Sequence, residues 1–248
     1  MKKYELTEET KVIGGKTLFR IRALRSFGGI KAGDLGGFIE NERNLSHGGN
    51  AWVGGNAEVY GNAQVVGYAQ VGGNAQVNGY AQVGGNAWVE DNAQVGGNAR
   101  VSGDAWVNGD ARVNGDAWVE DNARVDGDAW VGGYARVNGD AQVVGDARVD
   151  GNAQVGGDAW VGGNARVGGD GLINSNNDYL CEQGLGSRNR SASFFKCKDG
   201  HIHVLCGCFS GNLDEFENKV KEEHGNSKYS KEYLGFIEVV KTHFEVRQ

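Results

Sequence analysis

Side chains able to do chemistry are few in this chain and unevenly placed. Its four cysteines, Cys181, Cys197, Cys206 and Cys208, lie near the C-terminal end, with His201 and His203 among them. A structural zinc site needs four such ligands converging on one point. The surrounding sequence reads as a hairpin of residues 192–198 and 201–206 turned at Asp199-Gly200. In that register Cys197 lies opposite Ile202, which leaves Cys206 four residues along the strand, roughly 13 Å away. His201 and His203 then face away from Cys206 and Cys208. Reduced thiols in a cytosolic protein, with no metal and no cofactor, are the reading that follows.

A second candidate is the loop Gly184-Leu185-Gly186-Ser187-Arg188-Asn189-Arg190-Ser191. Glycines that expose backbone N–H groups beside two arginines make a cradle for phosphate or carboxylate. Gly186, Ser187, Arg188, Asn189 and Arg190 are its ligand-binding candidates, with Lys196, His201 and His203 on a neighbouring surface. No strand-to-helix context of the P-loop or Rossmann kind surrounds the loop, so a solvated connection is the competing reading.

The elements that must hold these groups are dominated by residues 48–171, where the unit Ala-x-Val-x-Gly-Asn/Asp repeats without insertion. Every sixth residue from Ala51 to Ala165 is alanine, and every sixth from Val53 to Val167 is valine. Alternation in Ala-x-Val is the strand period, while Gly followed by Asn or Asp turns the chain. Edges this short cannot form hairpin ladders. Three of them close an 18-residue coil in which each edge pairs with its copies 18 residues away.

The fold expected is mainly β, a parallel β-helix over residues 48–173 with about seven coils and a length of about 30 Å at the usual strand spacing. Residues 1–47, with a hairpin at Gly14-Gly15, form an N-terminal β cap over its open end. Residues 174–248 form a small α+β domain in β-β-α-α order. Its helices are read near 213–223, with Asn212 as N-cap and Glu215 completing a capping box, and near 228–244.

The middle residue of each Ala-x-Val points outward, and these positions hold all six tryptophans. Sorted by the coil period, Trp52, Trp88, Trp106 and Trp160 share one face, whereas Trp118 and Trp130 take the other two. Exposed tryptophans mark a partner-binding surface; the competing reading is a cross-strand ladder that stabilises the repeat. Asp110, Asp128 and Asp146 stack along one corner and add charge to the outside. Turn chemistry is the simpler reason for them, and a bridging cation the alternative.

Residues 51–171 carry six Arg, no Lys and 15 Asp or Glu, net −9, against −7 for the whole chain. An acidic column is a poor partner for a phosphate backbone, so no nucleic-acid partner is expected. No run of 18 consecutive apolar residues occurs, and Met1-Lys2-Lys3-Tyr4-Glu5 has no apolar h-region. A soluble, cytoplasmic protein without a membrane partner is the expectation.

The repeat resembles the hexapeptide-repeat family, whose signature is an aliphatic residue every six with a small residue two before it. The resemblance implies a left-handed, triangular parallel β-helix and a homotrimer packed through one face. Acyltransferases of that family use a histidine general base near a loop that interrupts the coils, and its carbonic anhydrases use a three-histidine zinc site. Residues 51–171 contain no His, Cys, Lys or extruded loop, so acyl transfer is the least favoured reading.

The segments Ala32-Gly-Asp-Leu-Gly-Gly-Phe-Ile-Glu40, Asn44-Leu-Ser46, Gly186-Ser-Arg-Asn189 and Gly207-Cys-Phe-Ser-Gly-Asn-Leu-Asp-Glu-Phe216 resemble those of hexapeptide-repeat proteins encoded by phages and prophages. The expectation is a non-enzymatic binding or scaffold protein that engages a host protein or a second copy of itself. The alternative is a small-molecule or nucleotide-signal binder, a counter-defence sponge using Arg188 and Arg190 in the host cytoplasm.

Overall fold

The computed structural model describes residues 2–246. From Trp52–Val53 to Leu172–Ile173 a two-residue strand recurs every six residues. Each pairs in parallel with the copies one coil before and after, as Trp88 does with Gln70 and Trp106. The strands sort into three sheets, one of ten strands and two of seven. The protein is thus mainly β, built on a parallel β-solenoid of about eight turns. The additional turn comes from the lead-in. Leu35–Ile39 pairs in parallel with Glu58–Val59, and Leu45 bridges to Val65, so the chain is already winding before the repeat begins. Its corner is a 3-10 turn, Glu42–Asn44, in place of Gly-Asn.

The alanines taken every sixth residue from Ala51 to Ala165 and the valines from Val53 to Val167 are at most 1% exposed, so the interior is filled by its own side chains. Backbone N–H groups donate from one coil to the next, as Trp88 N–H does to the Ala105 carbonyl at 2.9 Å, and the column satisfies its own polar groups. Gly97 shows what a corner demands. Its φ is +63°, and a Cβ there would lie 2.8 Å from the Gly115 carbonyl oxygen of the next coil. Asp91 and Asp121 take the same left-handed conformation at φ 57° and 59°. Each compensates through its side chain, which accepts from the glycine N–H one coil on: Gly109 at 3.3 Å and Gly139 at 3.1 Å.

The N-terminal hairpin, Tyr4–Ile13 with Lys16–Ala23, joins through Leu35–Ile39 to one solenoid sheet and so extends it to ten strands. Tyr4, Ile21, Phe27 and Leu45 complete the apolar core at that end. Lys3 is buried among them, its ammonium donating to the Ala51 carbonyl at 2.7 Å. Burial first, and the charge of Arg25 second, pull its pKa down to about 8.

At the other end a four-stranded antiparallel sheet lies between the last coil and two helices. Its strands are Tyr179–Leu185, Arg190–Lys196, Ile202–Cys206 and Phe209–Asn212; α1 is Leu213–His224 and α2 is Lys228–His243. The order β-β-β-β-α-α corrects the expected β-β-α-α. The two strands missed, each carrying a glycine and one of them bulged near Gly184, have little strand signature of their own. They form because the central hairpin offers two free edges. At the start of α1, Asn212 and Glu215 exchange side chain-to-backbone hydrogen bonds of 2.9 Å each, the expected capping box.

Successive residues of the sheet serve different cores. Phe194 and Val204 pack with Ile237 and Val240 under the helices, while Phe195 and Cys197 belong to the core of the solenoid. Among the described residues no helix is long and apolar enough to cross a membrane.

Candidate functional site

Trp88 and Trp106 stand on adjacent coils with ring centroids 5.8 Å apart and planes inclined by 23°. They are 39% and 41% exposed, and the Arg124 guanidinium continues the stack over Trp106 at 5.6 Å. Trp160, on the same sheet beyond Gln142, is 58% exposed. Trp52 departs from this group. It is 4% exposed, because Phe27 and Tyr4 pack edge-on against its ring at 5.5 and 6.5 Å. Its outward position on the coil is covered by the N-terminal segment, and it seals an end instead of presenting a binding face. On the other sheets Trp118 is sandwiched between Arg100 and Arg136, each 4.9 Å from its ring, and Trp130 lies beside Arg148. Trp118 and Trp130 are half-buried, and the exposed indole rings stand on one sheet.

Asp110, Asp128 and Asp146 are exposed along a single corner. On the other two corners amides answer carboxylates one coil on: Asn86 donates to Asp104, Asn98 to Asp116 and Asn122 to Asp140, at 2.8 to 2.9 Å. This alternation between coils relieves like-charge repulsion. It is written in the spacing of Asn and Asp, and the sequence reading overlooked it. The alternation lapses at the run of three aspartates and at Asp140 with Asp158.

In the C-terminal domain a cleft of about 480 Å³ opens between the turn after Tyr179–Leu185 and α1. Ser187, Arg188, Arg190, Phe209, Lys219 and Tyr233 are among its walls. Two arginines of the candidate loop therefore meet at one opening, with aromatic rings beside them. Lys219 is paired with Glu222 and Glu223, whereas among the described residues no ion pair forms at Arg188 or Arg190.

The backbone cradle expected of the same loop does not form. The Gly186 N–H donates to the Glu232 carboxylate at 3.3 Å, and the Asn189 N–H donates to the Gly186 carbonyl at 3.3 Å. Asn189 closes the turn at φ +47°, and Gly186 is required because a Cβ would lie 2.4 Å from the Tyr233 hydroxyl. Gly186 and Asn189 thus shape the turn and do not line the cleft. Lys196 is not a neighbour either: it is ion-paired with Asp178 at 2.9 Å. In the wall of the cleft, burial raises the pKa of the Cys206 thiol and pushes that of the Tyr233 hydroxyl up to about 12, so neither is activated.

The register of the hairpin differs from the expected one by a single residue. Lys196, not Cys197, pairs with Ile202, and the Cys197 N–H donates to the His201 carbonyl at 2.9 Å. The loop is Lys198-Asp199-Gly200, with Gly200 at φ +88°. A slip of one residue exchanges the faces of a strand. Cys197, His201 and His203 consequently share the face turned to the solenoid, and their ligand atoms all lie within 4.8 Å of one another. This overturns the argument that no metal ligands converge. His201 Nδ1 meets the Asp199 carboxylate at 2.5 Å, and His203 Nε2 meets Ser210 Oγ at 2.9 Å. Burial, with Asp199 and Asp170 nearby, pushes the Cys197 thiol up to about 11, and burial with His201 alongside lowers His203.

No curated protein matches the chain. Residues 93–109, about one coil, match the family model described as YdcK beta solenoid repeat, and over that stretch of the column the chain is similar to this family.

Proposed function

We propose that this is a non-enzymatic binding or scaffold protein that works through the outer surface of a left-handed, triangular β-helix of the hexapeptide-repeat type. One observation carries the reading: the stacked, exposed pair Trp88–Trp106 on a rigid sheet whose interior is full. Indole rings held on a fixed backbone lose little freedom on docking and anchor interfaces disproportionately. The absence of His, Cys and Lys between residues 51 and 171 speaks against catalysis on the column. The occupant is a host protein or a second copy of the chain, a homotrimer being what the hexapeptide resemblance implies. A phage or prophage origin and a cytoplasmic setting belong to the same proposal.

Light scattering on the native protein and on a W88S/W106S variant tests it. The expected wild-type mass is a multiple of 26.4 kDa that falls to one chain in the variant. For a monomeric wild type, the expected result is a captured host protein bound at least ~10-fold more weakly by the variant. A variant that melts earlier yet keeps its mass and partner reduces the pair to a stabilising ladder and ends the proposal.

The cleft beside Arg188 and Arg190 favours a second reading, a small anionic ligand with a planar or apolar portion, such as a nucleotide signal. Calorimetry against nucleotide mixtures should give heat with the wild type and at least ~10-fold weaker binding in R188A and in R190A. A wild type that gives no heat removes this reading. Acyl transfer remains the least favoured function.

A further inference from the structure

We infer that Cys197, His201 and His203 form a site for one divalent metal ion of the zinc class, at the seam between the C-terminal hairpin and the last coil. The inference is independent of the tryptophan face and of the arginine cleft.

His201 Nε2 and His203 Nδ1 face each other at 3.4 Å. That is about the separation two imidazole nitrogens take on a single tetrahedral zinc with Zn–N bonds of about 2.0–2.1 Å. Their outer nitrogens are already engaged, His201 Nδ1 by the Asp199 carboxylate and His203 Nε2 by the Ser210 hydroxyl. An ionised carboxylate only accepts, so a neutral His201 carries its proton on Nδ1 and turns a lone pair inward from Nε2. In the tautomer in which Ser210 accepts from His203 Nε2, the one that a bound cation selects, the His203 Nδ1 is a lone pair as well. Both lone pairs then point to one spot beside the sulfur, where a cation takes the place of the His203–His201 hydrogen bond that the metal-free pair makes in its other tautomer. A histidine steadied on its far side by a carboxylate is also the common outer shell of protein-bound zinc.

The donor set points to the class of ion. One thiolate and two imidazoles suit zinc and not the oxygen-seeking calcium or magnesium. Cys197 comes ready placed, because its backbone bridges to Gly171 of the last coil and holds it against the column. The fourth position opens on a cleft of about 710 Å³ bordered by Asp170 and Glu215, with room for water. As the sulfur–metal bond forms, the thiol proton leaves to solvent and both imidazoles bind neutral, so one proton is released per ion.

The full chain, stripped by a chelator, is titrated with Co2+ and then Zn2+. The expected result is one Co2+ per chain, with a thiolate-to-cobalt charge-transfer band and the intense visible bands of tetrahedral cobalt, displaced by Zn2+. C197S should lose the charge-transfer band. D199N should weaken zinc binding by about 10- to 100-fold, and H201A and H203A by more. C208S, which removes an exposed thiol outside the cluster, should keep both spectrum and affinity. In the unsubstituted chain Zn2+ should slow alkylation of Cys197, located by mass spectrometry, which gives an answer even where a variant hairpin fails to fold. A wild type that takes up no cobalt, a C197S spectrum identical to wild type, or Cys197 alkylation indifferent to zinc would each overturn the inference.

Discussion

Gly97→Val is expected to destabilise the middle of the column by about 3 kcal/mol and to lower the melting temperature by roughly 6–12 °C. The residue sits at φ +63°, where a β-branched side chain is strained, and its Cβ would approach the Gly115 oxygen and nitrogen to 2.8 and 2.9 Å. Both are backbone atoms and cannot retreat cheaply. The Gly115 oxygen already accepts from the Asn98 N–H at 2.7 Å, so the next coil moves only by losing a rung. Each coil of a solenoid is held by its immediate neighbours, and the damage should therefore concentrate at one interface and invite proteolysis there. Gly97→Asp is the matched control. Asp91 and Asp121 occupy the same kind of corner at φ 57° and 59° and bond to the following coil, so the aspartate variant, which meets the same Cβ contact but recovers a hydrogen bond and is not β-branched, should melt above the valine variant. Calorimetry in which the valine variant melts with wild type would show that neither backbone conformation nor corner stacking limits stability.

The contrast between those two substitutions can be written from the sequence, because one period of six fixes which residues lie inside, outside and at the corners. What the sequence conceals lies where that period breaks or where distant chain arrives. Phe38 and Leu45 wind as part of a coil, but a 3-10 corner replaces the Gly-Asn signal between them. Trp52 is outward by periodicity and buried by Phe27 and Tyr4, whose packing no local pattern encodes. The Asp199-Gly200 pair reads equally as a two-residue turn or as the end of a three-residue loop. That choice decides whether Cys197 faces Cys206 or His203, and it is settled by Phe195 seating against the last coil. The arginine loop was half legible. Arg188 and Arg190 do converge, but Glu232, arriving from α2, takes the backbone donor that an anion would have used.

Phe195→Ala and Phe194→Ala, neighbours in one strand, are expected to fail in different places, each at a cost of about 3–5 kcal/mol. Both rings are fully buried, but they point to opposite faces. Phe194 packs on Phe216 and Phe236 of the two helices, with centroids 5.9 and 5.6 Å away. Phe195 instead closes the end of the column. At Gly171, in the slot that alanine fills in every earlier coil, a Cβ would come within 3.0 Å of the Phe195 ring and 2.8 Å of Val167. The repeat gives up its alanine there because the phenylalanine occupies the space. Hydrogen exchange should accordingly show Phe194→Ala loosening α1 and α2, and Phe195→Ala loosening Arg166–Val167 and Leu172–Ile173, against which the strand Arg190–Lys196 packs. Coils in the middle of the column should hold their protection in both variants. Since His201 and His203 share the face of Phe195, the Phe195→Ala variant should also bind Co2+ more weakly than Phe194→Ala does. If the two substitutions instead loosen one common set of amides, the sheet does not divide two cores, and a C-terminal domain fixed to the solenoid end by a single aromatic plug is the wrong description of this junction.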